Sequence, residues 1–294
     1  DEVLSKDIKE AVRGIQLGLP LTILGDPSTG KTELAREINE RAFGRSKLTV
    51  VDCLHINSEQ FEKQMFGDRG KIGFFDQEPR TAKEGKLFLA RGGVVLFKNI
   101  HALDINAQDV IAAAQQFEET QRDNSQVRSI KGWIFSGPID WLDNNEFQIS
   151  SRFANSIQGK KLNTPSLSQR SDFEKVACAI ASACSSEYTL SPVALRILKS
   201  CNWTGNFSEL KKVIRLAISQ SPGKVIRHEI SEALSAFTDD GLKPCPHCVG
   251  SPVRAETCIM IQRSWGETGG NVSLVARRLG VSRNTVYKHV KSFQ

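Results

Sequence analysis

The sequence predicts an α/β protein built on a parallel sheet, followed by a helical segment and a small all-α tail. Three observations carry that reading. Residues 1–165 alternate apolar strand-like runs (LTILG, KLTVVDC, GGVVLFKNI, KGWIFSG) with helical stretches such as TELAREINERAF and DINAQDVIAAAQQFEE, the pattern of strands joined by crossover helices. Residues 166–236 change character and read as wholly helical: SDFEKVACAIASACSS, SPVALRILKSC, FSELKKVIRLAISQ, RHEISEALSAF. Charge is the third. Of 39 basic and 33 acidic residues, eight and two lie beyond residue 240, so the whole excess of +6 falls on the tail. A neutral body with a basic tail suggests nucleic acid as the tail's partner.

The bounds agree. At 294 residues and 39% apolar, the chain is long enough for two domains with real cores. No run approaches 18 consecutive apolar residues, so no membrane partner is expected. The opening DEVLSKDIKEAV has neither an initiator Met nor a basic-then-apolar signal pattern, which reads as a cytoplasmic piece of something longer. Seven scattered cysteines argue for reduced thiols rather than a disulfide framework. The expected layout is an α/β nucleotide-binding part at 1–165, a helical part at 166–236, a connector at 237–252 (through CPHC and the Gly and Pro residues) and a tail domain at 253–294.

The first strand leads into LTILGDPSTGKTELAREI, where Gly25, Gly30, Lys31 and Thr32 supply the phosphate-loop pattern G-x-x-x-x-G-K-T. A strand precedes it and an amphipathic helix follows, so loop amides and the helix N-terminus face a phosphate. Lys31 reaches the terminal phosphates and Thr32 offers a hydroxyl to magnesium. The expected nucleotide-binding set is Gly25, Asp26, Pro27, Ser28, Thr29, Gly30, Lys31, Thr32 and Glu33. The strand GGVVLFKNI ends in Lys98 and Asn99, where a nucleotide-hydrolysing protein commonly places carboxylates. Without a carboxylate, nothing at Lys98 helps to hold magnesium, and nothing at Asn99 can take a proton from an attacking water. The Lys98 ammonium is expected to stand in for metal charge beside a triphosphate, or else to point elsewhere. ATP held without hydrolysis and an unused pocket therefore stand level, and no catalytic residue is assigned.

These residues carry a family resemblance. GDPSTGKTELAREI, VDCLHINSEQFEKQMFG, GKLFLARGGVVLFKNI and WTGNFSEL occur in the order and spacing of the AAA+ domain of bacterial enhancer-binding transcription activators. The stretch GGNVSLVARRLGVSRNTVYKHV resembles their Fis-type helix-turn-helix. The resemblance covers nearly the whole chain. It implies an AAA+ P-loop domain with a parallel sheet, a helical lid and a C-terminal all-α helix-turn-helix domain. In that family a regulatory domain usually precedes the AAA+ domain. The departures bear on function. The family's Asp-Glu pair is replaced by Lys98 and Asn99, and its sigma-factor loop GAFTGA by DRGKIGFFDQEPRTAKEG. Near Gly137 to Ile139 no polar sensor remains, and Ser208 stands where the family has an arginine. Of the paired trans-acting arginines, Gln148 occupies one place and Arg152 the other.

In the tail, Asn271 or Ser273 can cap a first helix through Leu279, Gly280 makes the turn, and Ser282 caps a second helix. Val286 and Val290 sit four apart and face inward. The DNA-binding set is Ser282, Arg283, Asn284, Thr285, Tyr287, Lys288 and Lys291. Arg283, Asn284 and Thr285 lie nearest base edges, while Lys288 and Lys291 suit phosphates. A lone reader contacts few bases, so self-association as a dimer or larger oligomer is expected. Ile261 and Trp265 of the preceding helix are candidates for the contact. Cys245, Cys248 and Cys258 offer two or three zinc ligands, but a fourth is not evident unless His247 or a second chain supplies it. The spacing also suits a redox switch, though no thioredoxin-like fold surrounds it. Plain reduced thiols are the reading adopted, and no metal is assigned.

The function expected is a sequence-specific regulator of transcription on a degenerate AAA+ scaffold, with little or no ATP hydrolysis. Without GAFTGA it should act independently of sigma-54, contacting the common RNA polymerase or repressing by occupancy. Offshoots of the family that respond to cyclic di-GMP imply that effector as an option, with no site assigned. Two rivals differ in class. A working ATPase that remodels sigma-54 polymerase needs a rearranged acid, such as Asp104 or a nearby Glu. A nucleotide-sensing scaffold with a protein partner predicts no DNA footprint.

Overall fold

The computed structural model describes residues 2–56, 58–67, 84–121, 129–142, 147–226, 229–237, 248, 252–268 and 271–290. The chain divides into two compact units, 1–166 and 167–294. In the first, five strands form one sheet in the order β2-β3-β4-β1-β5: β1 Leu21–Leu24, β2 Leu48–Asp52, β3 Val94–Lys98, β4 Gly132–Gly137 and β5 Lys160–Asn163. All four pairings are parallel. A parallel sheet covered on both faces needs strands that are apolar throughout, and β1 and β4 are buried at every residue.

The pleat sends alternate residues to two cores. Val95 and Phe97 of β3, with Trp133 and Phe135 of β4, join Ile111, Trp141 and Phe153 on one face. Val94 and Leu96, with Ile134, join Ile15, Ile23 and Ile38 on the other. Phe97 stacks against Trp133 at 6.2 Å and Phe135 at 5.8 Å between ring centres. The second face is closed by α1 (Glu2–Gln16), which buries Ile8, Ala11 and Ile15, and by α2 (Lys31–Phe43), which buries Ala35 and Ile38. The edge strand β5 is polar, as only Leu162 faces the core. Its Lys160 is tied to Asp7 and Glu10 of α1, at 2.9 and 2.6 Å.

The second unit corrects one expectation. Residues 166–236 are not wholly helical, because β6 (Thr189–Leu190) and β7 (Val225–Ile226) pair in parallel. Two-residue strands are too short to display an alternating pattern. Around them lie helices Phe173–Cys184, Pro192–Ser200, Asn206–Gln220 and Glu229–Phe237. Their shared core includes Leu198, Trp203, Leu210 and Ile214. Ser191 accepts from the Ala194 amide at 3.1 Å, so the Ser-Pro pair starts its helix as a cap and a first-turn proline. The tail forms three helices, Pro252–Glu267, Val272–Leu279 and Arg283–Val290.

Candidate functional site

Parallel pairing brings the C-terminal ends of the strands to one edge of the sheet. Leu24 sits opposite Gly137 and Asn163, and Lys98 opposite Asp52 and Ser136. That edge is where open α/β sheets bind ligands. The loop Gly25–Gly30 crosses it between β1 and α2. A Cβ on Gly25 would stand 2.0 Å from Thr164 Oγ1 and 2.8 Å from the Thr164 carbonyl, so the position admits only glycine. Thr164 donates its amide to Leu24 O at 2.8 Å, and its hydroxyl meets that of Thr29 at 2.7 Å. Thr29 also donates to Asp26 O at 2.8 Å. Ser28 and Gly30 both take positive φ, 60° and 91°, which folds the loop back over the start of α2. Asp26, Pro27 and Ser28 are exposed, whereas Gly25 and Thr29 are buried.

Lys31 opens α2 and bends back into the loop, donating to Gly25 O at 2.6 Å and Asp26 O at 2.7 Å. Thr32 is half-buried beside it, and Glu33 is turned outward to pair with Arg36 at 3.5 Å. Burial holds the Lys31 ammonium below its usual pKa; Asp26 opposes that effect and Lys98 adds to it. Two lysines therefore stand close enough to repel one another at this edge, an arrangement that a polyanion between them would relieve.

Lys98 ends β3 and donates to Asp52 Oδ2 at 3.2 Å, while Asn99 Nδ2 donates to Asp52 Oδ1 at 2.8 Å. Asn99 takes a left-handed backbone, φ 54°, immediately after the strand. Burial tends to raise the Asp52 carboxyl, but the Asn99 amide and the Lys98 ammonium outweigh it and hold the group below its ordinary value. The edge thus contains a carboxylate that the sequence reading did not single out, since it becomes relevant only once β2 and β3 pair in register. His101 was also missed. Burial lowers its pKa, the Lys31 charge adds to that effect and Asp140 opposes it.

Other candidates are occupied differently. Asp104, the rearranged acid of the rival reading, caps helix Ile105–Thr120 by accepting from the Ala107 amide at 2.8 Å. Arg152 donates to Gln116 at 3.2 Å, and the Gln148 carbonyl accepts from Gln108 at 2.9 Å. The segment that replaces GAFTGA begins at residue 68, and residues 68–83 lie outside the described residues.

In the tail, Asn271 accepts from the Leu274 amide at 3.1 Å and starts helix Val272–Leu279. Gly280, at φ 64°, closes that helix. Ser282 Oγ accepts from the Thr285 amide at 3.0 Å and starts helix Arg283–Val290. Val286 is fully buried, whereas Arg283, Asn284, Tyr287 and Lys288 are exposed and Thr285 is half-buried. Lys291 lies outside the described residues. One expectation is overturned: Ile261 is fully buried within its own chain, in a core with Val275, Ala276 and Val286. Trp265 packs against the same core. Three short helices have too little apolar surface to spare that side chain, so Ile261 is not a dimer contact.

Residues 1–129 match the sigma-54 interaction domain, and residues 259–293 match the bacterial regulatory protein, Fis family. Curated relatives include the acetoin catabolism regulatory protein of Cupriavidus necator, 24% identical over 311 residues, covering 100% of this chain and 46% of the relative. The transcriptional regulatory protein ZraR of Salmonella typhi is 26% identical over 288 residues, covering 90% of this chain and 61% of the relative. The chain thus spans roughly half to three-fifths of the length of these relatives. Among solved structures, NtrX from Brucella abortus in complex with ATP superposes with TM-score 0.66 at 18% identity, covering 99% of this chain and 67% of that one. At that identity the likeness speaks for the fold.

Proposed function

We propose, from the match of residues 1–129 to the sigma-54 interaction domain and of residues 259–293 to the Fis family, that the chain is a sequence-specific transcription regulator of the bacterial enhancer-binding kind whose nucleotide pocket binds ATP with little or no hydrolysis. The working layout is a nucleotide-binding part at 1–165, a lid at 166–236, a connector at 237–252 and a DNA reader at 253–294. The observation that carries the proposal is the end of β3. Lys98 and Asn99 both donate to Asp52, so the carboxylate that ends β2 at this sheet edge is engaged by a cation and an amide. A carboxylate held in that way is a weak proton acceptor and a weak magnesium ligand. The ammonium groups of Lys31 and Lys98 and the loop amides supply what a triphosphate needs to bind.

Double-stranded DNA is the proposed partner of Arg283–Val290 and of Lys291. RNA polymerase is the proposed partner of the body, reached without sigma-54 because DRGKIGFFDQEPRTAKEG replaces GAFTGA. Self-association and a cyclic di-GMP effector belong to the same proposal, with no residues assigned to either. The second reading, an ATPase that remodels sigma-54 polymerase, is favoured by one observation: Asp52 does place a carboxylate at the sheet edge. Reporter assays in strains with and without sigma-54, alongside footprinting of the bound DNA, separate the readings. The proposal expects a specific footprint and regulation that persists without sigma-54. Regulation that vanishes with sigma-54 supports the second reading and ends the first.

A further inference from the structure

The tail helices bring together three side chains that are far apart in sequence. Cys248 lies just ahead of helix Pro252–Glu267, Cys258 lies on that helix, and His289 lies in the last turn of Arg283–Val290. Their ligand atoms all fall within 4.8 Å of one another. Cys258 is fully buried, and Cys248 is 3% exposed. We propose that Cys248, Cys258 and His289 form a zinc site that fastens the reading helix to the helix and segment before it.

Donor chemistry selects the metal. Two thiolates and an imidazole suit zinc, whereas calcium and magnesium require oxygen ligands. Geometry agrees. Cys248 Sγ and His289 Nδ1 are 3.7 Å apart, and adjacent sulfur and nitrogen ligands of a tetrahedral zinc lie about 3.6 Å apart from the usual bond lengths. The surroundings agree as well. Gln262 Nε2, one turn beyond Cys258 on the same helix, donates to Cys258 Sγ at 3.7 Å. An N–H aimed at a ligand sulfur is the kind of outer partner that steadies a thiolate.

Stability gives the site a purpose. Among the described residues, the buried core of the three tail helices is small: Ile261, Val275, Ala276 and Val286, with Trp265, Val272, Leu279 and Val281 packed against it. Modules of that size usually need a metal, a disulfide or a partner to hold their shape. His289 sits three residues beyond the buried Val286, so a bond to its ring fixes the far end of the helix that presents Arg283 and Asn284. Three protein ligands leave the fourth tetrahedral position to water or another donor. Cys245 lies outside the described residues and is no part of the assignment.

The test uses the full chain, produced in zinc-supplemented medium and dialysed into metal-free buffer. Elemental mass spectrometry should find one zinc per chain. Cobalt(II) put in its place should give a thiolate charge-transfer band in the near ultraviolet. Cys258→Ser should lose most of that band, and His289→Ala should keep thiolate absorption while zinc affinity falls at least roughly 10–100-fold. Should Cys258→Ser fail to fold, the wild-type cobalt spectrum decides by itself. Wild-type protein holding less than roughly a tenth of an equivalent of zinc, with no cobalt band, overturns the proposal and leaves a hydrogen-bonded core cluster.

Discussion

Asp52, Lys98 and Asn99 explain each other. The amide and the ammonium meet one carboxylate because β2 and β3 end level, with Asp52 opposite Lys98. Sequence order separates these groups by more than 40 residues, so the sequence exposes the unusual Lys-Asn ending but not its partner. The same holds for Gly25. Its place in a phosphate-loop pattern is legible, whereas the reason that only glycine fits is Thr164, at the end of another strand. Gly25→Ala must push the Thr164 hydroxyl and carbonyl away, which should cost about 1–3 kcal/mol. Urea unfolding of the variant should show that loss together with weakened ATP binding. An unchanged midpoint would mean that the loop does not pack against Thr164 as described.

Elements were easier to read than their partners. Strands β1, β3 and β4 are largely apolar runs because both faces of the sheet are covered. β5 escaped because an edge strand with one inward leucine among lysines and an asparagine has no apolar run. β6 and β7 escaped because two residues cannot alternate. The caps at Asn271 and Ser282 were legible, since capping is a local matter of one side chain and an amide three residues on. Local reading did not serve for Ile261, since an apolar residue on a helix does not say whether its own chain or a partner buries it, and here its own chain does. Helix Arg283–Val290 carries its own prediction. Arg283→Ala or Asn284→Ala should cost about 1–3 kcal/mol on the cognate duplex and much less on a scrambled one, as expected for base-edge contacts. Lys288→Ala should weaken both duplexes alike and flatten the salt dependence by about one unit of slope. Binding titrations at several salt concentrations decide it. Equal losses for Arg283→Ala on both duplexes would make the helix an electrostatic anchor rather than a reader.

At the scale of the whole molecule, charge and chemistry are divided between the ends. The excess of +6 lies in the tail, which suits attraction to a phosphate backbone. The body is electrically balanced and places two of its cations, Lys31 and Lys98, at the sheet edge. Among the described residues no helix is long and apolar enough to cross a membrane. The proposed function has such a regulator bind ATP as a ligand and DNA as its target, with no need to turn the nucleotide over. Phosphate release by the full chain, with DNA and magnesium present, measures that claim directly. The account predicts no release above the rate of the Lys31→Ala variant, under conditions where calorimetry shows ATP bound. Turnover on the order of 1 per second, abolished by Lys31→Ala, would contradict it and make Asp52 a working acid.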